Sequence, residues 1–171
     1  MTAFPWGDLA IILALVVLNG LLAMSELAIV SARRPRLEAM VRHGKFGAQA
    51  ALDLGVDPGR FLSVVQIGIT LVGILNGAFS GASLSGPVAQ RLTAWIGIAP
   101  DTADTLAFII VISVTTYLSL VVGELVPKQF ALRKPEPIAA LAAVPMQWIA
   151  RRTAPVVWLL DSSSALIFRL L

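Results

Sequence analysis

Two glutamates lie where an ionisable side chain is costly. Glu26 and Glu124 each fall near the end of a long apolar stretch. A charged residue inside a membrane-spanning helix costs about 2.5–3.5 kcal/mol on insertion scales, so its presence is by default a hypothesis of function. The alternative is that each glutamate lies at the membrane edge and pairs with a nearby Arg or Lys. The sequence leaves both interpretations open.

Pro127 strengthens the functional interpretation for Glu124. Proline has no N–H, so the carbonyl four residues earlier, that of Gly123, loses its helix hydrogen bond. We therefore expect a free carbonyl beside a carboxylate at a break in a membrane helix. Irregular backbone at this depth is tolerated where it lines a cavity, and hard cations such as Mg²⁺ or Na⁺ take such oxygens as ligands. A simple helix end is the alternative.

Partners for this break must come from other helices at similar depth. Counted from the nearest arginine beyond its helix, Ser25 lies roughly 12 Å deep and Thr70 roughly 15 Å deep. Asn76 lies deeper, at roughly 24 Å. The ordinary alternative is that a Ser or Thr hydroxyl bonds a carbonyl of its own helix. The candidate cation ligands are Ser25, Thr70, Asn76, Gly123 and Glu124, and the secondary candidates are Glu26, Gln66, Ser80, Pro127 and Lys128.

Long apolar helices must position these residues. The chain has 171 residues, of which 57% are hydrophobic and 13% charged, whereas a soluble domain carries about 25% charged residues. A spanning helix needs about 20 mostly apolar residues. Three segments qualify, at about 9–32, 60–84 and 105–126. The first contains no basic residue before its apolar run, so we expect a retained helix rather than a signal peptide.

Shorter helices are expected outside the three spans. The segment 33–57 has helical spacing broken at Gly44 and predicts a short helical hairpin. In 135–171, the stretch 138–150 is too short to span easily, and 156–171 predicts an amphipathic juxtamembrane helix. A fourth span is the alternative. The chain ends in an apolar helix without a polar tail, so we expect a soluble part to have followed it.

The charges predict an orientation and exclude some functions. Of thirteen Lys and Arg residues, only Arg91 lies between the second and third spans, so the other twelve share one side. The positive-inside rule makes that side cytoplasmic, with the N-terminus outside. Without cysteine there is no disulfide or thiolate metal site. We expect no nucleic-acid binding, because no basic stripe is present. We also expect no enzyme, because His43 is the lone histidine and no catalytic constellation accompanies it.

Three motifs resemble the CorC/CorB and cyclin M (CNNM) family of magnesium transporters. They occur in the family's order and at its separations across essentially the whole chain. Any one of them would be a weak match, but together they are specific. They are Met24-Ser25-Glu26-Leu27-Ala28, the Phe61–Leu71 stretch with Gln66, Gly68 and Thr70, and Gly123-Glu124-Leu125 with Pro127-Lys128.

The resemblance implies a homodimeric membrane domain that exports Mg²⁺ across the plasma membrane, driven by Na⁺ entry. It implies three spanning helices, short cytoplasmic-side helices and a juxtamembrane helix. Ser25 and the Gly123-Glu124 break would lie at the Mg²⁺ site, completed by polar residues of the second helix. Position 73, asparagine in some relatives, is Gly73 here, so that ligand would be absent or replaced. The CBS domains that usually follow are absent. A membrane anchor or Mg²⁺ sensor for a cytoplasmic domain is the competing function.

Overall fold

The computed structural model of the chain is all-helical in the residues it describes, which are 4–56, 58–153, 155–159 and 162–163. In chain order, its elements are α1 (Trp6–Ser31), α2 (Arg34–Arg42), α3 (Ala48–Val56), α4 (Pro58–Ile96), α5 (Pro100–Leu120), a π-helical turn (Val121–Leu125), α6 (Val126–Arg133) and α7 (Pro135–Arg152). Proline occupies the first turn of α2, α5 and α7, where its missing N–H costs nothing.

Among the described residues, three helical segments are long and apolar enough to cross a membrane. They are Trp6–Ser31, Phe61–Ile96 and Pro100–Arg133. The predicted all-α class with three spans is therefore confirmed. The second and third helices continue beyond the predicted ends at 84 and 126, because Pro87 and Pro127 both lie within continuous helix. The predicted juxtamembrane helix at 156–171 falls largely outside the described residues.

The first of two compact units comprises Met1–Leu21 and Ile69–Pro127. Its helices pack through small and branched side chains. Ile12, Leu84 and Val111 form one buried cluster. Ala89 packs against Ala103 and Ala107 across the turn between α4 and α5. Gly97 makes this turn with a φ of 73°, a left-handed conformation that disfavours other residues.

The second unit comprises Leu22–Gly68 and Lys128–Leu171. The predicted hairpin is present as α2 and α3, broken at Gly44 with a φ of 65°. Helix α3 packs closely on α7, and a Cβ at Gly47 would overlap the Ala140 carbonyl. Glu136 is buried at the start of α7. Its carboxylate accepts the Arg33 N–H at 3.4 Å and pairs with Arg36 at 3.5 Å.

Candidate functional site: a polar cleft beside a π-helical turn

The third apolar helix changes its hydrogen bonding where the sequence predicted a break. Val121–Leu125 form a π-helical turn, in which the Val126 N–H bonds to the Val121 carbonyl, five residues back. The usual partner of that N–H would be the Val122 carbonyl. Pro127 has no N–H for the Gly123 carbonyl, so neither of these two carbonyls receives its α-helical bond. Such π-turns often mark functional sites.

The Gly123 carbonyl is not free, so the prediction of a free carbonyl is wrong. Asn19 of α1 donates from Nδ2 to this carbonyl oxygen at 3.0 Å, in a buried hydrogen bond. An unpaired carbonyl in an apolar interior is expensive, and an amide from a neighbouring helix satisfies it. Proline therefore leaves the carbonyl available to a side chain on another helix.

Glycines allow this close approach between α1 and the π-turn. A Cβ at Gly123 would lie 3.1 Å from the Val16 carbonyl oxygen and 3.4 Å from the Asn19 amide nitrogen. On the facing helix, a Cβ at Gly20 would lie 3.0 Å from the Pro127 ring. The distances to the Val16 carbonyl and to the Pro127 ring are both shorter than nearly all contacts of a real Cβ. The two glycines therefore let the helices approach closely where their backbones meet.

A second asparagine makes a parallel contact from α4. Asn76 is 2% exposed, and its Nδ2 donates to the Ser119 hydroxyl at 2.7 Å. The amino group of each asparagine thus donates to an acceptor in the third apolar segment. The Oδ1 atoms of both Asn19 and Asn76 are buried and lack a hydrogen-bond partner. Ser85 Oγ is a third such atom in this unit, but only the two asparagines line a common cleft. Two unsatisfied buried oxygens at one cleft call for an explanation such as an ion or water.

Both asparagines line the same cleft, which has a volume of about 210 Å³. Its polar wall also includes Glu124, which is half-buried and makes contacts of its own. Gly73 lies on the opposite helix, and a Cβ there would meet open space. The complete lining consists of Asn19, Ile69, Gly73, Asn76, Gly77, Thr115, Thr116, Ser119, Leu120 and Glu124.

The structure brings together only part of the predicted ligand set. Asn76 and Glu124 line the cleft and Gly123 adjoins it through Asn19. Thr70 is exposed and does not line the cleft, so the depth ranking of Thr70 above Asn76 is reversed. Ser80 is fully buried, and its hydroxyl donates to the Gly77 carbonyl of its own helix.

The remaining predicted residues, apart from Pro127, belong to the second unit. Ser25 is buried there, and its hydroxyl donates to the Leu22 carbonyl at 2.7 Å, the ordinary alternative for a helical serine. Glu26 is half-buried, Gln66 is exposed, and Lys128 is half-buried with a contact of its own. Pro127 belongs to the first unit, where its ring packs towards Gly20.

Two polar residues at the cleft, Asn19 and Ser119, are not among the predicted ligands. The depth of Asn19 could have identified it: it lies fourteen residues from Arg33, or roughly 21 Å. That value matches the roughly 24 Å of Asn76. For the third helix, a count from Lys128 would place Gly123 too near the end, because α6 continues to Arg133. Measured from Arg133, Gly123 lies roughly 15 Å deep.

The cleft offers mainly neutral oxygens with one carboxylate. The described part of the chain holds no group of three or more His, Cys, Asp or Glu residues that could bind a metal. Amide, hydroxyl and carboxylate oxygens suit hard cations such as Mg²⁺ and Na⁺ rather than soft transition metals. They also accept hydrogen bonds from ammonium groups.

Comparisons with known proteins give the chain a family. The sequence model described as "Cyclin M transmembrane N-terminal domain" matches residues 10–171. The UPF0053 protein sll0260 of Synechocystis is 48% identical over 163 residues, covering 95% of this chain and 36% of that protein. The UPF0053 protein YhdP of Bacillus subtilis is 31% identical over 160 residues, covering 94% of this chain and 36% of that protein.

A relative with a functional name is similar over the same region. The polyamine export protein of Haemophilus influenzae is 33% identical over 164 residues, covering 93% of this chain and 36% of that protein. The chain thus spans just over a third of the length of these relatives. With three candidate spans and a family model that covers nearly all of it, the chain belongs to the CorC/CorB–CNNM family of membrane proteins.

Proposed function

We propose that this domain transports Mg²⁺ across the membrane through the cleft beside the π-turn. The observation that carries the proposal is the pair of buried, unpartnered amide oxygens of Asn19 and Asn76 lining one cleft with Glu124. Two neutral oxygens and a carboxylate suit a cation that must bind and then leave. Mg²⁺ dehydrates reluctantly and keeps several waters, and a cleft of about 210 Å³ has room for a partly hydrated ion.

Direction, coupling and assembly are further parts of the proposal. The family resemblance supports Mg²⁺ export driven by Na⁺ entry and a homodimer in the plasma membrane. The same resemblance supports covalently linked CBS domains, and the chain covers only 36% of the length of these relatives. Lys and Arg are concentrated in the segment between the first two spans and in the segment after the third, which supports a cytoplasmic C-terminus.

Polyamine transport is the second candidate, and it has a specific basis. Relatives 28% and 33% identical to this chain are named polyamine export proteins. Protonated amines are hydrogen-bond donors, and the same oxygens would accept them. The apolar residues Ile69 and Leu120 of the cleft wall could contact the methylene groups between two amines.

Flux measurements test the proposal directly. The chain is reconstituted in liposomes that contain a Mg²⁺-sensitive dye. We expect Mg²⁺ flux in the wild type and its loss in Asn76→Leu and Glu124→Ala. Thr70→Val is the matched control in α4: its side chain is exposed away from the cleft, so flux should persist. Repeating the assay with and without a Na⁺ gradient tests coupling.

The alternatives predict different results in the same liposomes. A polyamine exporter would move labelled putrescine or spermidine but not Mg²⁺, and the same two substitutions would abolish that flux. A membrane anchor or Mg²⁺ sensor would move neither. Wild-type liposomes that show no Mg²⁺ flux under either gradient would contradict the transport of this ion, and equal flux in wild type and Glu124→Ala would remove Glu124 from the site.

A further inference from the structure

An apolar pocket in the second unit lies where two candidate spans begin or end. It has a volume of about 180 Å³ and is lined by the C-terminal end of α1, by α2 and α3, and by the first turns of α4. Ile29, Leu37, Leu52 and Leu62 are among its apolar wall residues. An apolar cavity of about 150 Å³ stays dry and can bind a ligand of the size of benzene. This pocket is therefore large enough for an apolar group.

One charged side chain lines this otherwise apolar pocket. Arg34, at the start of α2, is 74% exposed. Its Nε donates to Glu38 at 3.0 Å, which leaves the donors of its terminal nitrogens for a second anion. The neighbouring Arg33 and Arg36 are also exposed, so positive charge concentrates at this end of α1. An anion is the complement to this charge.

The surroundings of the pocket point to the membrane as the source of the ligand. Candidate span α1 ends at Ser31 and the second candidate span begins at Phe61, so the pocket lies at the same end of both. Val30 and Val56 line the pocket and are 55% and 70% exposed. Arginine beside apolar surface at a span end matches the junction of lipid headgroups and acyl chains.

We propose that this pocket binds an acyl chain of an anionic phospholipid whose phosphate is held by Arg34. The inference does not depend on which ion the cleft in the first unit transports. The acyl chain supplies the apolar contact, and the guanidinium supplies charge-assisted hydrogen bonds to the phosphate. An anionic headgroup is preferred over a zwitterionic one, because the choline cation of the latter is repelled by the exposed arginines. The bound lipid would thereby contact α2 and α3 together with the ends of the two spans.

Gly55 permits a test that fills the pocket without disturbing the helix. It lines the pocket, and a Cβ at this position would meet open space. Leucine is also the better helix former. We therefore expect Gly55→Leu to fold and to exclude the acyl chain. Gly86→Leu is the matched control, since Gly86 also faces open space on a helix but does not line the pocket.

Arg34→Gln removes the headgroup contact, and Glu38→Gln is its control. Both substitutions break the Arg34–Glu38 pair, but only the first removes the guanidinium. If the ion pair alone mattered, both variants would behave alike. We expect Arg34→Gln to lose the preference for the anionic lipid and Glu38→Gln to keep it.

The experiment is native mass spectrometry of the purified chain with phosphatidylglycerol or phosphatidylcholine of identical acyl chains. We expect a wild-type preference of about fivefold for phosphatidylglycerol, the contribution of one arginine at a membrane surface. Gly55→Leu should lower the binding of both lipids, and Arg34→Gln should abolish the preference, while both controls bind as the wild type does. Melting temperatures without lipid verify that all variants are folded.

Three results would overturn the inference. The first is equal retention of the two lipids by the wild type, and the second is unchanged phosphatidylglycerol binding by Gly55→Leu. The third concerns a soluble anion: glycerol 3-phosphate should leave the melting temperature unchanged. Stabilisation by glycerol 3-phosphate equal to that by the lipid would assign Arg34 to a free phosphate instead.

Discussion

In Asn19 and Asn76, the amide nitrogen donates a hydrogen bond and the amide oxygen has no partner. Their amino groups donate to the third apolar segment at 3.0 and 2.7 Å. The Gly123 carbonyl can only accept, so it fixes which way the Asn19 amide is turned. The oxygens that remain are both buried. A buried polar atom without a partner costs about 1–3 kcal/mol, so a bound cation would stabilise the protein by relieving that cost.

Asn19 allows this relation to be tested by two substitutions of similar size. Asn19→Leu removes both the bond to the Gly123 carbonyl and the free oxygen. We expect a loss of about 1–3 kcal/mol in stability and of Mg²⁺-dependent stabilisation. Asn19→Asp places a carboxylate against the carbonyl and should lower the melting temperature without Mg²⁺. It should also raise Mg²⁺ affinity by about tenfold or more, because the new charge favours the ion.

Melting temperatures measured over a Mg²⁺ series separate the two effects, since ligand stabilisation follows RT ln(1 + [L]/Kd). Slower flux in Asn19→Asp would accompany the tighter binding, because the ion must leave. A Mg²⁺ response in Asn19→Leu equal to that of the wild type would show that Asn19 does not contact the ion.

Gly73 offers the opposite kind of change, an added ligand. It lines the cleft and faces open space, so an asparagine side chain fits without displacing a neighbour. Asparagine is also slightly better than glycine in a helix. We expect Gly73→Asn to tighten Mg²⁺ binding by about threefold to tenfold, for one further amide oxygen worth about 1 kcal/mol. Calorimetric titration measures this, with Gly86→Asn as the control that should leave the affinity unchanged.

At the scale of elements, the sequence predicted the helices well and the site only in part. Hydropathy and proline or glycine positions are local properties, so the three spans and the break at Gly44 followed from them. The pairing of Asn19 with Gly123 joins residues 104 positions apart. It depends on how far each helix runs, and α6 continues past Pro127 to Arg133. With the helix end at Arg133, Gly123 lies roughly 15 Å deep, the same depth as Thr70, so depth alone does not select Asn76. The direction that each side chain of α4 faces selects it, because Asn76 lines the cleft and Thr70 is exposed.

Pro127 controls the hydrogen bonding of the third segment. Pro127→Ala supplies an N–H to the Gly123 carbonyl, which favours ordinary α-helix and competes with Asn19. Interior proline costs about 3 kcal/mol relative to alanine, so we expect a higher melting temperature together with reduced flux. The matched control is Pro145→Ala, which removes the proline inside α7 in the second unit. It should also raise the melting temperature, but flux should not fall. Undiminished flux in Pro127→Ala would mean that the π-turn is not required.

Glu136 ties α7 to α2 in the second unit. Its side chain is 6% exposed, but its partner Arg36 is 64% exposed, so solvent screens much of the attraction. We expect Glu136→Gln to cost about 1 kcal/mol, since glutamine still accepts the Arg33 N–H. Glu136→Ala should cost more, because that N–H loses its acceptor. Thermal unfolding measures both. Glu38→Gln, in the exposed Arg34–Glu38 pair, should change stability by less than about 0.5 kcal/mol.

At the scale of the whole molecule, charge is distributed unequally along an otherwise apolar chain. Arg91, the one basic residue between the second and third predicted spans, is held close to the protein. It donates to the Pro87 carbonyl at 2.9 Å and lies 5.1 Å from the centre of the Phe4 ring. The segment between the first two spans and the one after the third carry the other twelve. This asymmetry is the physical basis for the predicted orientation.

The absence of cysteine from the sequence makes that orientation directly measurable. We expect His43→Cys and Lys134→Cys to react with a membrane-impermeant maleimide only after cells are opened, because both lie in the positively charged segments. Ala99→Cys, in the exposed turn between α4 and α5, should react in intact cells. The cysteine-free chain controls for background labelling, and denatured samples verify that each cysteine can react. Labelling of His43→Cys in intact cells would contradict the predicted orientation. The segments rich in Lys and Arg would then lie outside the cell, and the proposed cytoplasmic C-terminus would be wrong.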